Sequence, residues 1–130
     1  MKKLLATLAL SMLFSIAAHA DSVIGNWSFP TQSDSGISFD MTMGIATNSL
    51  TMTLKCSFPD GVVAQNSVTT HAAVTADTIT NLEAKESKGS DSTHSCDISS
   101  AVGTMTYVVM GNALTLTAPG QGSMTLTRAP

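Results

Sequence analysis

Residues 50–58 read Leu-Thr-Met-Thr-Leu-Lys-Cys-Ser-Phe, and this strict alternation is what most constrains the fold. Successive side chains of a β-strand point to opposite faces. Leu50, Met52, Leu54, Cys56 and Phe58 therefore share one face, and Thr51, Thr53, Lys55 and Ser57 the other. The pattern recurs at 37–43, where Ile37, Phe39, Met41 and Met43 alternate with Ser38, Asp40 and Thr42. Residues 24–29 put Gly25, Trp27 and Phe29 on one face. Three more strands are read at 103–110, 113–117 and 123–128. Gly111-Asn112 joins the first two and suits a two-residue hairpin turn.

The intervening segments read less sharply. Residues 30–36 and 47–49 are polar turns, and Pro59-Asp60-Gly61 is a tight-turn signal, since Pro presets one torsion and Gly takes the left-handed one. Residues 62–64 and 68–74 form a weaker, broken strand. Beyond Asp77, Ile79 and Leu82 are three apart, so a strand there needs a bulge, and a short helix remains an alternative. Residues 85–95 contain no apolar side chain and read as a loop.

The count is about eight strands, with no helix long enough to cross between parallel strands. That implies an all-β antiparallel sandwich or a closed up-and-down barrel. Consecutive hairpins favour the barrel, which also removes exposed edges. Composition agrees: 17 of the 110 residues left after position 20 (130 − 20) are Thr, stiff at the first side-chain torsion and suited to a pleated sheet.

The chain opens with Met1-Lys2-Lys3, an apolar run over 4–18 and Ala18-His19-Ala20, the pattern of a cleaved export signal. The expected organisation is thus a signal peptide at 1–20 and one β-barrel domain at 21–130, with Asp21 as the mature start. No cysteine follows the run to carry a lipid, so no stable membrane anchor is expected, and the location implied is the bacterial periplasm or the exterior. After cleavage, four Lys and Arg face nine Asp and Glu, a net charge of 4 − 9 = −5. Such a chain repels phosphate backbones and anionic headgroups, which argues against nucleic acid. In an oxidising compartment Cys56 and Cys96 are expected to pair as a structural disulfide.

Gly25-Asn26-Trp27 near the mature start, together with Arg128 in the terminal Thr-x-Thr-Arg, resembles the lipocalin-like (calycin) superfamily, in its small bacterial form. The run GNALTLTAPGQGSMTLTR is similar to the closing hairpin of such domains. The resemblance implies that Gly25 and Trp27 close one barrel end and that Arg128 packs across the indole face. The alternative for Trp27 is an ordinary core aromatic on a sandwich strand.

No coherent catalytic set is legible, so an enzyme is not expected. His71 sits in a Thr- and Ala-rich strand and His94 reads as a solvated loop residue; no Gly-x-Ser-x-Gly nucleophile motif is present. Asp91, His94, Cys96 and Asp97 cluster in sequence, yet they lack zinc or calcium spacing, and Cys96 is better explained by Cys56, so neither a metal nor a cofactor is expected. The sequon Asn26-Trp27-Ser28 falls inside a strand and reads as chance.

Binding is the stronger expectation. An eight-stranded barrel is either filled by its own side chains or just able to hold one small ligand. The inward set includes Phe39, Met41, Met43, Met52, Met105, Tyr107 and Met124, and methionine either fills irregular gaps or adapts to an apolar guest. The first reading is a binding module for a small apolar ligand held by Phe39, Met41, Met52, Met105 and Tyr107. The second is a protein–protein inhibitor or envelope interaction protein, similar in size and layout to small periplasmic barrels that inhibit lysozyme. There the acidic loop 85–97 meets a basic protein partner.

Overall fold

The computed structural model describes residues 23–89 and 93–129. The expected leader, Asp21 and Asp91 lie outside the described residues. The described chain is all-β: β1 (Gly25–Ser28), β2 (Gln32–Asp34), β3 (Ile37–Ile45), β4 (Ser49–Ser57), β5 (Val63–Val74), β6 (Thr78–Asn81), β7 (Lys85–Ser87), β8 (Ile98–Ser100), β9 (Gly103–Met110), β10 (Ala113–Ala118) and β11 (Gly122–Arg128). Eight of these close an antiparallel barrel in the order β1-β3-β4-β5-β6-β9-β10-β11 and back to β1. Every neighbour in the ring is also the next barrel strand in the chain, which makes the topology up-and-down. Among the described residues, no helix is long and apolar enough to cross a membrane.

Three expectations are corrected. The polar turn read at 30–36 contains β2, a short strand that pairs with β3 through Gln32↔Phe39, Ser33↔Ser38 and Asp34↔Ile37. A tight turn through Ser35 (φ 54°) and Gly36 (φ 81°) makes this possible, since two left-handed residues match the twist of the flanking strands. The broken strand at 62–74 is one continuous twelve-residue β5. The loop at 85–95 begins as β7, which pairs with β8 as a separate two-stranded ribbon. Polar residues hide these strands because each lies on an exposed surface or an edge, where no apolar alternation is needed. At 77–82 no bulge or helix is required: β6 ends at Asn81 and Leu82 is exposed.

The core falls into two clusters. One holds Trp27, Met43, Ile45, Leu50, Ala72, Ile79, Tyr107, Leu114, Leu116 and Leu126, and it fills one end of the barrel. Trp27, Ile79, Leu114 and Leu126 have no solvent exposure at all. The other holds Leu54, Cys56, Val68, Cys96 and Ile98, on the long outer halves of β4 and β5 and on the ribbon side of the chain. Met52 packs against both. Cys56 and Cys96 form a disulfide with Cα atoms 6.0 Å apart. It fastens the 82–102 insertion onto the inner face of β4.

Candidate functional site

Gly25, Trp27 and Arg128 lie together at the β1–β11 junction. Trp27 pairs directly with Arg128 across the β1–β11 seam. Its indole Nε1 donates to the Val23 carbonyl at 2.9 Å, which satisfies the one polar atom of a buried ring. The Arg128 guanidinium lies 4.2 Å from the ring centroid. A Cβ on Gly25 would come within 3.2 Å of Arg128 Nη1, and Gly25 holds φ +140°, so glycine gives the cation room to cross the indole.

Pro30 governs the opposite side of β1. The Ala129 N–H donates to the Asn26 carbonyl, so Asn26, Ser28 and position 30 turn their backbone groups toward β11. The Phe29 N–H instead donates to the Met41 carbonyl on β3. Pro30 has no N–H to offer, and the pairing of β1 with β11 stops at Ser28↔Thr127. The register on β3 then slips by one: Ser28 faces Thr42, but Gln32 faces Phe39. The extra residue is a β-bulge, tied down by the Thr31 hydroxyl donating to Asp40 Oδ1 at 2.7 Å. Beyond it the barrel wall is open between β2 and β11.

This seam sets the environment of the apolar set. Phe39 and Met41 are half-buried against the disulfide-bearing cluster, Met105 against the Trp27 cluster, and Met52 against both. Met124 shares the face of buried Leu126 but stands at the open edge and is 41% exposed. Tyr107 differs from the other four candidates. It is buried, and its hydroxyl donates to the Thr75 carbonyl at 2.6 Å, in the β5–β6 turn at the Trp27 end. Burial raises its pKa, with a smaller push from Asp77. The interior thus runs from the packed Trp27 end, where a cleft of about 310 Å³ opens beside Tyr107 among Val23, Ile24, Thr47, Val74, Thr75 and Ala76, to half-buried methionines at the mouth of the other end.

The 82–102 insertion covers the β4–β5 side of that mouth. Asn66 on β5 stitches it in place: its Nδ2 donates to the Ser87 carbonyl at 2.7 Å and the Cys96 carbonyl at 3.1 Å, while its Oδ1 accepts from Ser87 Oγ at 2.7 Å. Buried Asn81 holds the two ends of the insertion, donating to the Glu83 and Ala101 carbonyls. The expectation of a solvated His94 is overturned: its side chain is only 18% exposed. Its Nε2 meets Asp60 Oδ2 at 2.6 Å and its ring packs edge-on to Phe58. That contact holds the Asp60 carboxyl below its ordinary value, with help from the Val62 N–H. Next to it lies a cleft of about 250 Å³ lined by Val62, Val63, Ala64, Gln65, Gly89, His94 and Cys96. His71 is exposed on β5 and pairs with Glu83, whose carboxyl is lowered chiefly by the His71 backbone N–H.

Sequence reasoning missed Asn66, Asn81 and the seam. Pro30 was the available signal, because a proline directly after an alternating strand marks where ladder pairing ends. Nothing in the sequence singles out Asn66 from other surface-strand polar residues. Among the described residues no group of three His, Cys, Asp or Glu side chains is placed to hold a metal. Compared with family models, curated proteins and solved structures, the chain matches none.

Proposed function

We propose that the protein is an exported binding module of lipocalin-like layout that takes a small apolar ligand at its methionine-lined mouth. The observation that carries this reading is the gradient of burial along the interior. Trp27, Ile79, Leu114 and Leu126 are fully buried, whereas Phe39, Met41, Met52 and Met105 are half-buried and Met124 is exposed. Flexible thioethers on a partly open inner face adapt to guests of varied shape. Tyr107 then acts as a strut of the Trp27 end rather than as a ligand contact. The export reading draws support from the disulfide, which suits an oxidising compartment such as the periplasm or the exterior.

The alternative, inhibition of a basic protein through the acidic segment 85–97, has less support. Lys85 reaches back to the Thr69 carbonyl, and Asp97 Oδ1 accepts from the Gly89 N–H, so part of the segment's charge serves its own fold.

The test is titration of the oxidised protein with N-phenyl-1-naphthylamine, a neutral apolar fluorophore. Fluorescence rises with wild type and with Val108→Arg, whose position is on the outer face. It fails to rise with Met52→Arg or Met105→Arg. Equal signals from all four proteins overturn an interior site.

A further inference from the structure

The open seam leaves a strand edge whose chemistry can be read residue by residue. The Arg128 N–H donates to the Asn112 carbonyl at 2.8 Å, and the Ala129 N–H donates to the Asn26 carbonyl at 2.9 Å. These two bonds fix the parity of β11. Even-numbered residues turn their backbone groups to β10, and odd-numbered residues turn theirs to the β1 side. Thr127 meets Ser28 there. Thr125 and Ser123 come next, and no described strand pairs with them on that side. β2, which runs on past the bulge, pairs with β3 alone. Two N–H groups and two carbonyls are thus aimed outward from an exposed stretch.

Edge strands of monomers are usually blunted by charge, proline or a bulge. The unpaired stretch of β11, residues 123–125, has none of these. Nor have its neighbours: from Ile98 to Thr127 the chain contains no Asp, Glu, Lys, Arg or His. The chain as a whole carries a net charge of −3, all of it outside that stretch. Two copies can therefore meet along β11 without bringing carboxylates together, which is not true of the β3–β5 side, with Asp40, Asp60 and Glu83.

We propose that β11 is a dimerisation edge, and that it pairs antiparallel with β11 of a second copy about a two-fold axis at Met124. The edge is self-complementary. Ser123 of one copy opposes Thr125 of the other, so the ladder exchanges hydrogen bonds on both sides of the axis. Met124 faces its counterpart as a non-hydrogen-bonded pair, and its exposed thioether is covered. Such an interface is isologous and closes at two subunits. It uses the backbone edge of β11 and does not depend on whether the mouth holds a guest.

The experiment is sedimentation equilibrium of the oxidised protein from low micromolar to submillimolar concentration. Wild type is expected to reach the dimer mass. Thr125→Pro removes an outward donor without touching the β10 ladder, and it weakens the dimer by about 10-fold or more. Met124→Cys leaves the backbone intact and checks the axis directly. The facing Cα atoms of a non-hydrogen-bonded pair lie about 4.5 Å apart, within disulfide range, so this variant oxidises to a covalent dimer. Thr106→Cys, on the outer face of β9, does not. A wild type that stays monomeric throughout, an open series of larger oligomers, or equal cross-linking of the two cysteine variants overturns the proposal.

Discussion

Arg128 and Trp27 are direct partners across the β1–β11 junction, and the guanidinium covers the indole face at 4.2 Å. The ring is fully buried, so the cation works in a protected site where such a contact is worth about 1–2 kcal/mol. Arg128→Ala is expected to lower unfolding stability by about 2 kcal/mol, through lost stacking and lost packing of the aliphatic stem. Arg128→Lys is expected to recover less than half, because an ammonium cannot lie flat on the ring. Urea unfolding followed by Trp27 fluorescence measures both. Equal stability of the alanine and wild-type proteins would show the stack to be inert.

Gly25 makes that stack possible. Its φ of +140° and the 3.2 Å approach of Arg128 Nη1 to a built Cβ leave alanine two costs at once. Gly25→Ala is expected to destabilise by about 1–3 kcal/mol. In the Arg128→Ala background the penalty shrinks, since the steric part disappears while the backbone part stays. A double-mutant cycle that comes out additive refutes this coupling.

The disulfide is the covalent one among several ties that hold the insertion against β4 and β5. Closing 40 residues of chain contributes about 4 kcal/mol on the loop-entropy account. With Cys56→Ala and Cys96→Ala together, the expected result is a loosened 82–102 segment above a barrel that keeps its Trp27 end. Amide exchange should speed up at 85–100 well before it does at Trp27, Leu114 or Leu126. Uniform loss of protection would mean that the insertion and the barrel unfold as one unit.

Asn66 is the second fastening. Removing its side chain strands the Ser87 hydroxyl and the carbonyls of Ser87 and Cys96. Asn66→Ala is expected to cost about 1–3 kcal/mol, with the loss confined to the insertion. Asn66→Asp is expected to be as damaging, because a carboxylate cannot donate to two carbonyls. If the aspartate variant matches wild type in amide exchange over 85–100, the donor role assigned to Nδ2 is wrong.

What the sequence made legible follows from how each element is buried. β3 and β4 face a packed interior on one side and solvent on the other, so Ile37, Phe39, Met41 and Leu50, Met52, Leu54, Cys56 alternate visibly. β2 and β7 touch no core, and Gln32-Ser33-Asp34 and Lys85-Glu86-Ser87 carry no such trace. The Arg128–Trp27 contact was readable because only a few residue types put a cation over an indole. The open seam was not, because it depends on which backbone groups of β1 face β11, a parity set by pairing rather than by side-chain pattern. Tyr107 shows the same limit. Its inward direction follows from alternation, but its anchoring at Thr75 follows from where a turn 32 residues away is placed.

Acid should act first on the insertion rather than on the barrel. The Asp60 carboxyl is held below its ordinary value of 3.8 by the hydrogen bond from His94 and then by the Val62 N–H. A depressed folded-state value means that its contribution is complete above the unfolded value and is lost as pH falls through the folded one. Glu83, lowered by His71, carries the same sign. Tyr107, raised by burial, acts only at the alkaline end, where stability falls as pH rises above about 10. Between neutrality and about pH 5.5 these groups therefore leave stability flat; as pH falls further Glu83 and then Asp60 lose their contributions, and the His94 contact to the β4–β5 turn gives way. Amide exchange at 93–97, followed as pH is lowered, should accelerate more than the intrinsic pH effect on exchange explains, while Leu114 and Leu126 keep their protection. Asp60→Asn keeps an acceptor for the Val62 N–H but has no titrating group, so its excess acceleration should vanish. An unchanged acid response in that variant would place the sensitivity elsewhere.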